Sequence, residues 1–448
     1  FSSSFYLKKY QHEIPKEVSP LEFFLDAGGY RYHQSSLEFD CSYYLEVNPD
    51  IKKSRVIPLV HYLEFGYRER RLRKDFYKEW ILHQESQAPT DTECANEIAR
   101  FQYQPKFSVI VPVFNTDEIW LKAGEQGFLC PMVPEEYGGV DTDFRYNCIV
   151  NEEIGRSGCS GLGWTLHNDI SVPYIVRYGN EDQKKKYLPA CVSGELITAI
   201  AMTEPGTGSD LQGIKTTAVL EGDHYILNGS KTFITNGQKA GLVIVVAKTD
   251  TSAGSKGISL FLVEADLPGF SKGKNLQKLG LKAQDTSELF FQDVKVPKGN
   301  LLGEEGRGFI YLMQDLPQER LSIAVGAVAN AQAIMEVTVN YTKERKAFGT
   351  TVASFQNTQF KLAELAAEVT SAEVFSDRCT ELLLEGKLDT VTASKLKLLT
   401  TDLQCKVADE CLQLHGGWGY MWEYPVCRAF ADSRVHRIYG GSNEIMKL

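Results

Sequence analysis

The sequence predicts an α+β protein: an N-terminal helical region, a central antiparallel β domain of barrel or sandwich type, and a C-terminal helical bundle, preceded by an extra, mostly helical module. Three observations carry this. Phe355, Leu362, Leu365, Val369, Ala372, Phe375, Cys379 and Leu382 recur at three- and four-residue spacing, the apolar stripe of a bundle helix. Residues 200–300 hold short β-branched runs separated by turn residues. Residues 119–200 read as helices joined by glycine-rich turns at Gly138-Gly139 and Gly158 to Gly163.

Taken in order, residues 1–104 are rich in aromatic and charged side chains, as in Tyr43-Tyr44-Leu45 and Phe65-Gly66-Tyr67-Arg68. They read as short helices broken at Asn48-Pro49 and Pro58, with a polar linker near Gln84 to Glu97. In 105–117, the run Phe107-Ser108-Val109-Ile110-Val111-Pro112-Val113 reads as a buried parallel strand. It resembles the first strand of a family 2 glycosyltransferase, and the preceding Asn48-Pro49-Asp50 and Pro58-Leu59-Val60-His61-Tyr62 resemble an accessory module found beside such enzymes. Nothing after Thr116 continues that pattern, so a remnant without activity of its own is expected. Residues 118–199 form the helical domain, 200–304 the β domain and 305–448 the bundle. In the β domain, Tyr225-Ile226-Leu227 and Lys231-Thr232-Phe233-Ile234 flank Asn228-Gly229, which predicts a hairpin turn there. Leu242 to Ala247, Ile258 to Val263 and Glu288 to Val296 supply further strands.

Composition narrows the function. A formal net charge of −10 lacks the basic footprint that nucleic-acid binding needs. No apolar run reads as a membrane span, and no basic segment followed by an apolar stretch opens the chain. The ten cysteines form no CxxC pair and sit near no histidine cluster. They read as reduced thiols in a cytoplasmic protein without a metal site. The chain opens on Phe1 and stops at Leu448 in what reads as the start of a helix, so a fragment or fusion is expected, with apolar core left uncovered at both ends.

Four stretches carry chemistry. Met202-Thr203-Glu204-Pro205-Gly206-Thr207-Gly208-Ser209 packs turn formers among hydroxyls, letting backbone and the Thr203 and Ser209 side chains approach a polar ring edge or phosphate. In Lys231 to Gly237, alternation places Phe233 and Thr235 on one strand face, an aromatic beside a hydroxyl. Arg345, Phe348 and the later Gln356 offer a guanidinium suited to pyrophosphate. Gln413-Leu414-His415-Gly416-Gly417-Trp418-Gly419 brings backbone close to a partner. Singly, each is as readily an ordinary turn, strand or solvated helix end. No G-x-G-x-x-G follows a strand, which disfavours a nicotinamide domain.

Together, in this order, on a helix–β–helix frame, they resemble the acyl-CoA dehydrogenase family over about residues 118–448, most closely its long-chain branch. Pro134-Glu135-Glu136-Tyr137-Gly138-Gly139, Leu316-Pro317-Gln318-Glu319-Arg320 and Ile438-Tyr439-Gly440-Gly441-Ser442-Asn443-Glu444 add to the resemblance. It implies a four-helix C-terminal bundle, FAD as cofactor, and oxidation of an acyl-CoA thioester to the trans-2-enoyl-CoA. It implies electron-transferring flavoprotein as acceptor, and a homo-oligomer, usually a tetramer. Met202, Thr203, Gly208 and Ser209 are then expected along the flavin edge, with Phe233 and Thr235 against it. Arg345, Phe348, Gln356, Gln413, His415, Gly416 and Gly417, with Ser442 and Glu444, are expected to hold FAD, partly that of a neighbouring subunit. Ser209, Arg320, Tyr439, Gly440 and Gly441 are expected at the substrate. Two alternatives remain: an inactive fusion that keeps the motifs, told apart by its missing flavin spectrum, and an acyl-CoA oxidase, told apart by peroxide.

The reaction needs a carboxylate at the substrate α-carbon, a polarised carbonyl and exclusion of water. Most members of the resembled family carry that Glu directly after the Tyr of the C-terminal motif, where this chain has Gly440. In a smaller branch it comes from another helix, and Gln318-Glu319-Arg320 matches that pattern. Glu319 is therefore the expected base. Gly440 keeps a backbone N–H for the carbonyl, and Pro317 suits a first helical turn or a kink. The resemblance implies a medium- to long-chain or branched acyl-CoA, but the sequence does not give the chain length, because pocket depth depends on how the helices pack around Trp164 to Tyr174.

Overall fold

The computed structural model describes residues 116–448, and the readings made for residues 1–115 lie outside them. The helical domain runs α1 (Thr116–Glu125), α2 (Phe144–Ser157), a π-helix (Leu166–Ser171), α3 (Val172–Tyr178) and α4 (Glu181–Ser193). Helix α4 starts where its composition says it should: Asn180 and Gln183 form a reciprocal capping box, and Gly194 at φ 82° ends it.

The β domain holds β1 (Thr198–Ala201), β2 (Thr217–Glu221), β3 (His224–Thr235), β4 (Leu242–Lys248), β5 (Ile258–Glu264), β6 (Phe270–Asn275), β7 (Thr286–Pro297) and β8 (Leu301–Leu302). They form one sheet in the order β6-β7-β3-β2-β4-β5-β8, with β1 beside β4. Pairing is antiparallel except where β1 and β2 meet β4. Strand β4 is apolar without alternation because both its faces are covered. Leu242, Ile244 and Val246 pack toward the helical domain, and Val243, Val245 and Ala247 into the β core.

The expected hairpin at Asn228-Gly229 does not form. The turn lies one strand earlier, at Gly222-Asp223, with Gly222 at φ 64°. Strand β3 runs straight through Asn228-Gly229 because β7 pairs with it on both sides of that dipeptide. The register slips there, and the Asn228 amide is taken by Asp293, donating to its Oδ1 at 3.0 Å. Gly229 is needed for contact rather than for turning, since a Cβ would collide with Thr216. A second slip falls between Lys231 and Ile234, where Phe233 adopts φ 60°.

The bundle is built on α5 (Gly308–Glu344), with a short β9–β10 ribbon (Lys346–Ala347, Thr350–Thr351), then α6 (Gln356–Leu384), α7 (Thr390–His415) and α8 (Pro425–Ser433). Helix α5 is long and apolar enough to cross a membrane by composition, against the reading of the sequence. Here that apolarity is spent on protein: Leu321, Ala324 and Val325 pack with Phe144 and Cys148 of α2, Cys379 of α6 and Leu396 of α7. Pro317 sits well inside α5, not in its first turn. The eight described cysteines are all free.

Candidate active site

Helix α3 docks on α5 through three side chains, Tyr174, Arg177 and Tyr178. Tyr178 stacks on Tyr311, ring centroids 4.1 Å apart, and its hydroxyl donates to Gln314 Oε1 at 3.3 Å. Arg177 forms an ion pair with Asp315 and donates to Gln318 Oε1. Tyr174 closes the row, its hydroxyl donating to Glu319 Oε1 at 2.9 Å. Residues 174, 177 and 178 share one face of α3, as 311, 315, 318 and 319 share one of α5, which is what 3.6-residue periodicity requires.

Glu319 is 4 % exposed. Burial pushes its carboxyl up to about 7, against the Tyr174 hydroxyl and the Arg320 and Arg177 guanidiniums, which favour the charged form. Beside it, Gln318 Nε2 donates to the Asp169 carbonyl at 2.7 Å, tying α5 to the π-helix. Asp169 is fully enclosed; Asn147 and Asn151 each donate to it at 2.6 Å, and Ser322 donates as well. Wider π turns are rare and cluster where a helix is bent to a task.

The loop 439–444 is tied to the same helix. Arg320, also buried, donates from Nε to the Gly440 carbonyl at 3.4 Å and from Nη1 to Ser394 Oγ at 2.9 Å. Lys397 is enclosed on α7 and donates to the Gly441 carbonyl at 2.7 Å and to Asn443 Oδ1 at 2.9 Å. Gly440 takes φ 65°, and a Cβ there would lie 2.5 Å from Ile323 Cδ1. Ile323 is one turn beyond Glu319 on the same face, so Gly440 sits against the face that carries the carboxylate. Tyr439 and Glu444 are exposed, Gly441 and Ser442 half-buried.

The first two motifs meet in the β domain. Thr232 N–H donates to the Thr203 carbonyl at 2.9 Å. Lys231, wholly buried, donates to the Met202 carbonyl at 3.0 Å and pairs with Glu204 at 2.9 Å. Burial pulls its ammonium down to about 8, with Glu204 opposing. Met202 and Thr203 are half-buried, and Gly208 and Ser209 are exposed. Phe233, 67 % exposed at positive φ, presents a bulky ring in a conformation that side chains rarely take. Thr235 beside it is half-buried.

The last two motifs share a separate groove of about 480 Å³, lined by Tyr341, Arg345, Gln413, His415, Gly416 and Gly417 among others. His415 Nδ1 is bonded to the Cys411 carbonyl at 2.8 Å, while Nε2 is buried without a partner, a polar atom left for a ligand. A guanidinium, an amide, an imidazole and glycine backbone fit the adenosine diphosphate half of FAD. Phe348 is 97 % exposed, and Gln356 is exposed at the start of α6. A larger cavity of about 660 Å³ lies between α6 and α7, and no motif residue lines it. Among the described residues no group of three His, Cys, Asp and Glu could hold a metal ion.

Sequence reasoning missed Tyr174, Arg177, Lys231 and Lys397. The role of each comes from a partner far along the chain, which the local sequence does not show.

Comparison with known proteins follows this architecture. Residues 88–195, 199–294 and 306–448 match the N-terminal, middle and C-terminal domains of acyl-CoA dehydrogenases. The chain is 50 % identical to the mouse long-chain specific acyl-CoA dehydrogenase over 378 residues, 84 % of this chain and 83 % of that protein. It is 40 % identical to potato 2-methylacyl-CoA dehydrogenase over 74 % of this chain and 80 % of the other. Among solved structures, an acyl-CoA dehydrogenase from Geobacillus kaustophilus is 53 % identical with a TM-score of 0.73, over 75 % of this chain and 88 % of that one.

Proposed function

Since the chain belongs to the acyl-CoA dehydrogenase family, and is an FAD-dependent enzyme that dehydrogenates acyl-CoA thioesters, we propose that Glu319 is the base that removes the substrate α-proton. One observation carries this: the buried carboxylate of α5 lies one turn from Ile323, against which Gly440 packs, so the loop that would hold the thioester and the base share a face. Gly440 itself is a poor place for the carboxylate. A side chain there must accept φ 65° and push Ile323 aside.

Bound FAD supplies the acceptor for the β-hydride. The chain's residues do the rest. Burial raises the basicity of Glu319 and keeps water from it, and Tyr174 fixes one of its oxygens. The Gly440 N–H polarises the thioester carbonyl. Arg320 and Lys397 hold the carbonyls of Gly440 and Gly441, which sets that N–H in place. Met202, Thr203, Gly208 and Ser209 approach the flavin edge, with Ser209 also at the acyl-CoA. Phe233 and Thr235 lie against the ring. Arg345, Phe348, Gln356, Gln413, His415, Gly416 and Gly417, with Ser442 and Glu444, take the rest of FAD.

Glu319→Gln tests this. The variant is expected to purify yellow, with FAD bound, yet to lose turnover by several orders of magnitude, as removal of a general base requires. Normal flavin bleaching on anaerobic mixing with an acyl-CoA would refute the assignment.

Two partners belong to the same reading. Phe348, almost wholly uncovered at φ 54°, supports a homo-oligomer, a tetramer, in which this edge serves a neighbour's cofactor. Sedimentation of the FAD-loaded protein as a monomer contradicts that. Electrons leave to electron-transferring flavoprotein, and rapid peroxide formation in air without that partner contradicts it. For residues 1–87 the reading is an accessory piece without activity of its own; residues 88–117, including the run 105–117 read as a glycosyltransferase-like strand, fall within the dehydrogenase N-terminal match. Deleting residues 1–87 is expected to leave kcat unchanged, and a loss of turnover overturns it.

A further inference from the structure

Tyr174 is 0 % exposed and belongs to no motif. A phenol enclosed this completely must find an acceptor, because leaving a buried hydroxyl unpaired is costly. The acceptor is Glu319 Oε1, 145 residues along the chain. Nothing about an apolar turn at Val172-Pro173-Tyr174-Ile175 requires a hydroxyl, since its neighbours Val172 and Ile175 are core residues of the helical domain. Phenylalanine would fill the same space. The hydroxyl is therefore kept for what it bonds.

We propose that Tyr174 is a positioning residue for the base: its hydroxyl holds one oxygen of Glu319 and thereby fixes both the direction of the carboxylate and the conditions under which it is charged. The proposal rests on Glu319 being the base. The ring is itself braced. Tyr178 lies 5.9 Å from it and stacks on Tyr311 of α5, so ring contacts join the two helices beside the hydrogen bond. A donor to a carboxylate favours its charged form, as do the guanidiniums of Arg177 on α3 and Arg320 on α5. Arg177 is shared with Asp315 and Gln318, and Arg320 with Gly440 and Ser394. The Tyr174 hydroxyl is the only one of these groups with a hydrogen bond drawn to Glu319 among the described residues. Burial opposes all of them.

Tyr174→Phe removes the donor and leaves the packing. The acid limb of the kcat profile is expected to move up by about one pH unit. Turnover at about pH 6 then falls roughly tenfold relative to the parent, and the two enzymes converge at about pH 9. A second readout needs no turnover. The carboxyl stretch of Glu319 in the infrared, identified by its loss in Glu319→Gln, is expected to titrate about one unit higher in Tyr174→Phe. A fluorinated tyrosine at 174, a stronger donor in the same shape, is expected to move the limb the other way. An unmoved limb overturns the proposal, as does a uniform loss of turnover at every pH, which marks a merely structural role. If Glu319→Gln turns over normally, the base assignment fails first. If that variant is dead while the limb of Tyr174→Phe stays put, only the role of Tyr174 fails.

Discussion

The base is expected to cost the fold stability, and the cost is expected to depend on pH. Glu319 is buried, and its carboxyl is pushed from 4.5 up to about 7. Because the folded protein holds this proton more tightly than the unfolded chain, the favourable contribution is complete below pH 4.5 and is lost as pH rises through about 7. The difference of about 2.5 units, at about 1.36 kcal/mol each, amounts to about 3 kcal/mol at pH 8, against under about 1 kcal/mol at pH 5. Glu319→Gln cannot ionise, and its amide oxygen still accepts from Tyr174. The dead variant should therefore melt several degrees above the parent at about pH 8 and close to it at about pH 5. Asp169, raised to about 6, titrates in both proteins and cancels. Differential scanning fluorimetry at equal FAD saturation reads the comparison. A gain over the parent that does not change with pH, or one smaller at about pH 8 than at about pH 5, refutes the argument.

Two further outcomes follow from single contacts. Lys231→Met strips the buried Glu204 of its counter-ion, and thermal unfolding should show a loss of about 3–5 kcal/mol together with weaker retention of FAD, since the same ammonium holds the Met202 carbonyl. Adding Gly440→Glu to Glu319→Gln should restore less than about a hundredth of parental kcat, because φ 65° and Ile323 both disfavour a side chain there; restoration to within tenfold contradicts the reading of Gly440.

The fold was legible where periodicity is local. The stripe from Phe355 to Leu382 matches α6, with Leu365, Val369, Ala372 and Cys379 buried, and the unbroken apolar run of β4 matches a strand covered on both faces. The Asn228-Gly229 signal misled because turn propensity is a local quantity, while the ladder with β7 is a long-range one and outweighed it. Glu319 could be named only through the family pattern, since a glutamate in Gln318-Glu319-Arg320 looks solvent-facing until α2, α3 and α7 are packed round α5. Tyr174, Arg177 and Lys397 gave no signal at all, because their partners lie far off in sequence: 145 residues separate Tyr174 from Glu319 and 44 separate Lys397 from Gly441.

The central claim is that one carboxylate takes one particular proton, and that event can be watched apart from oxidation. A thioester bearing sulfur in place of the β-carbon keeps an acidic α-proton and has no hydride to give. Incubated in heavy water with the FAD-loaded protein, it should gain deuterium at the α-position, read by mass. With Glu319→Gln the gain should fall to the rate seen without protein. Exchange that survives the substitution would place the base elsewhere.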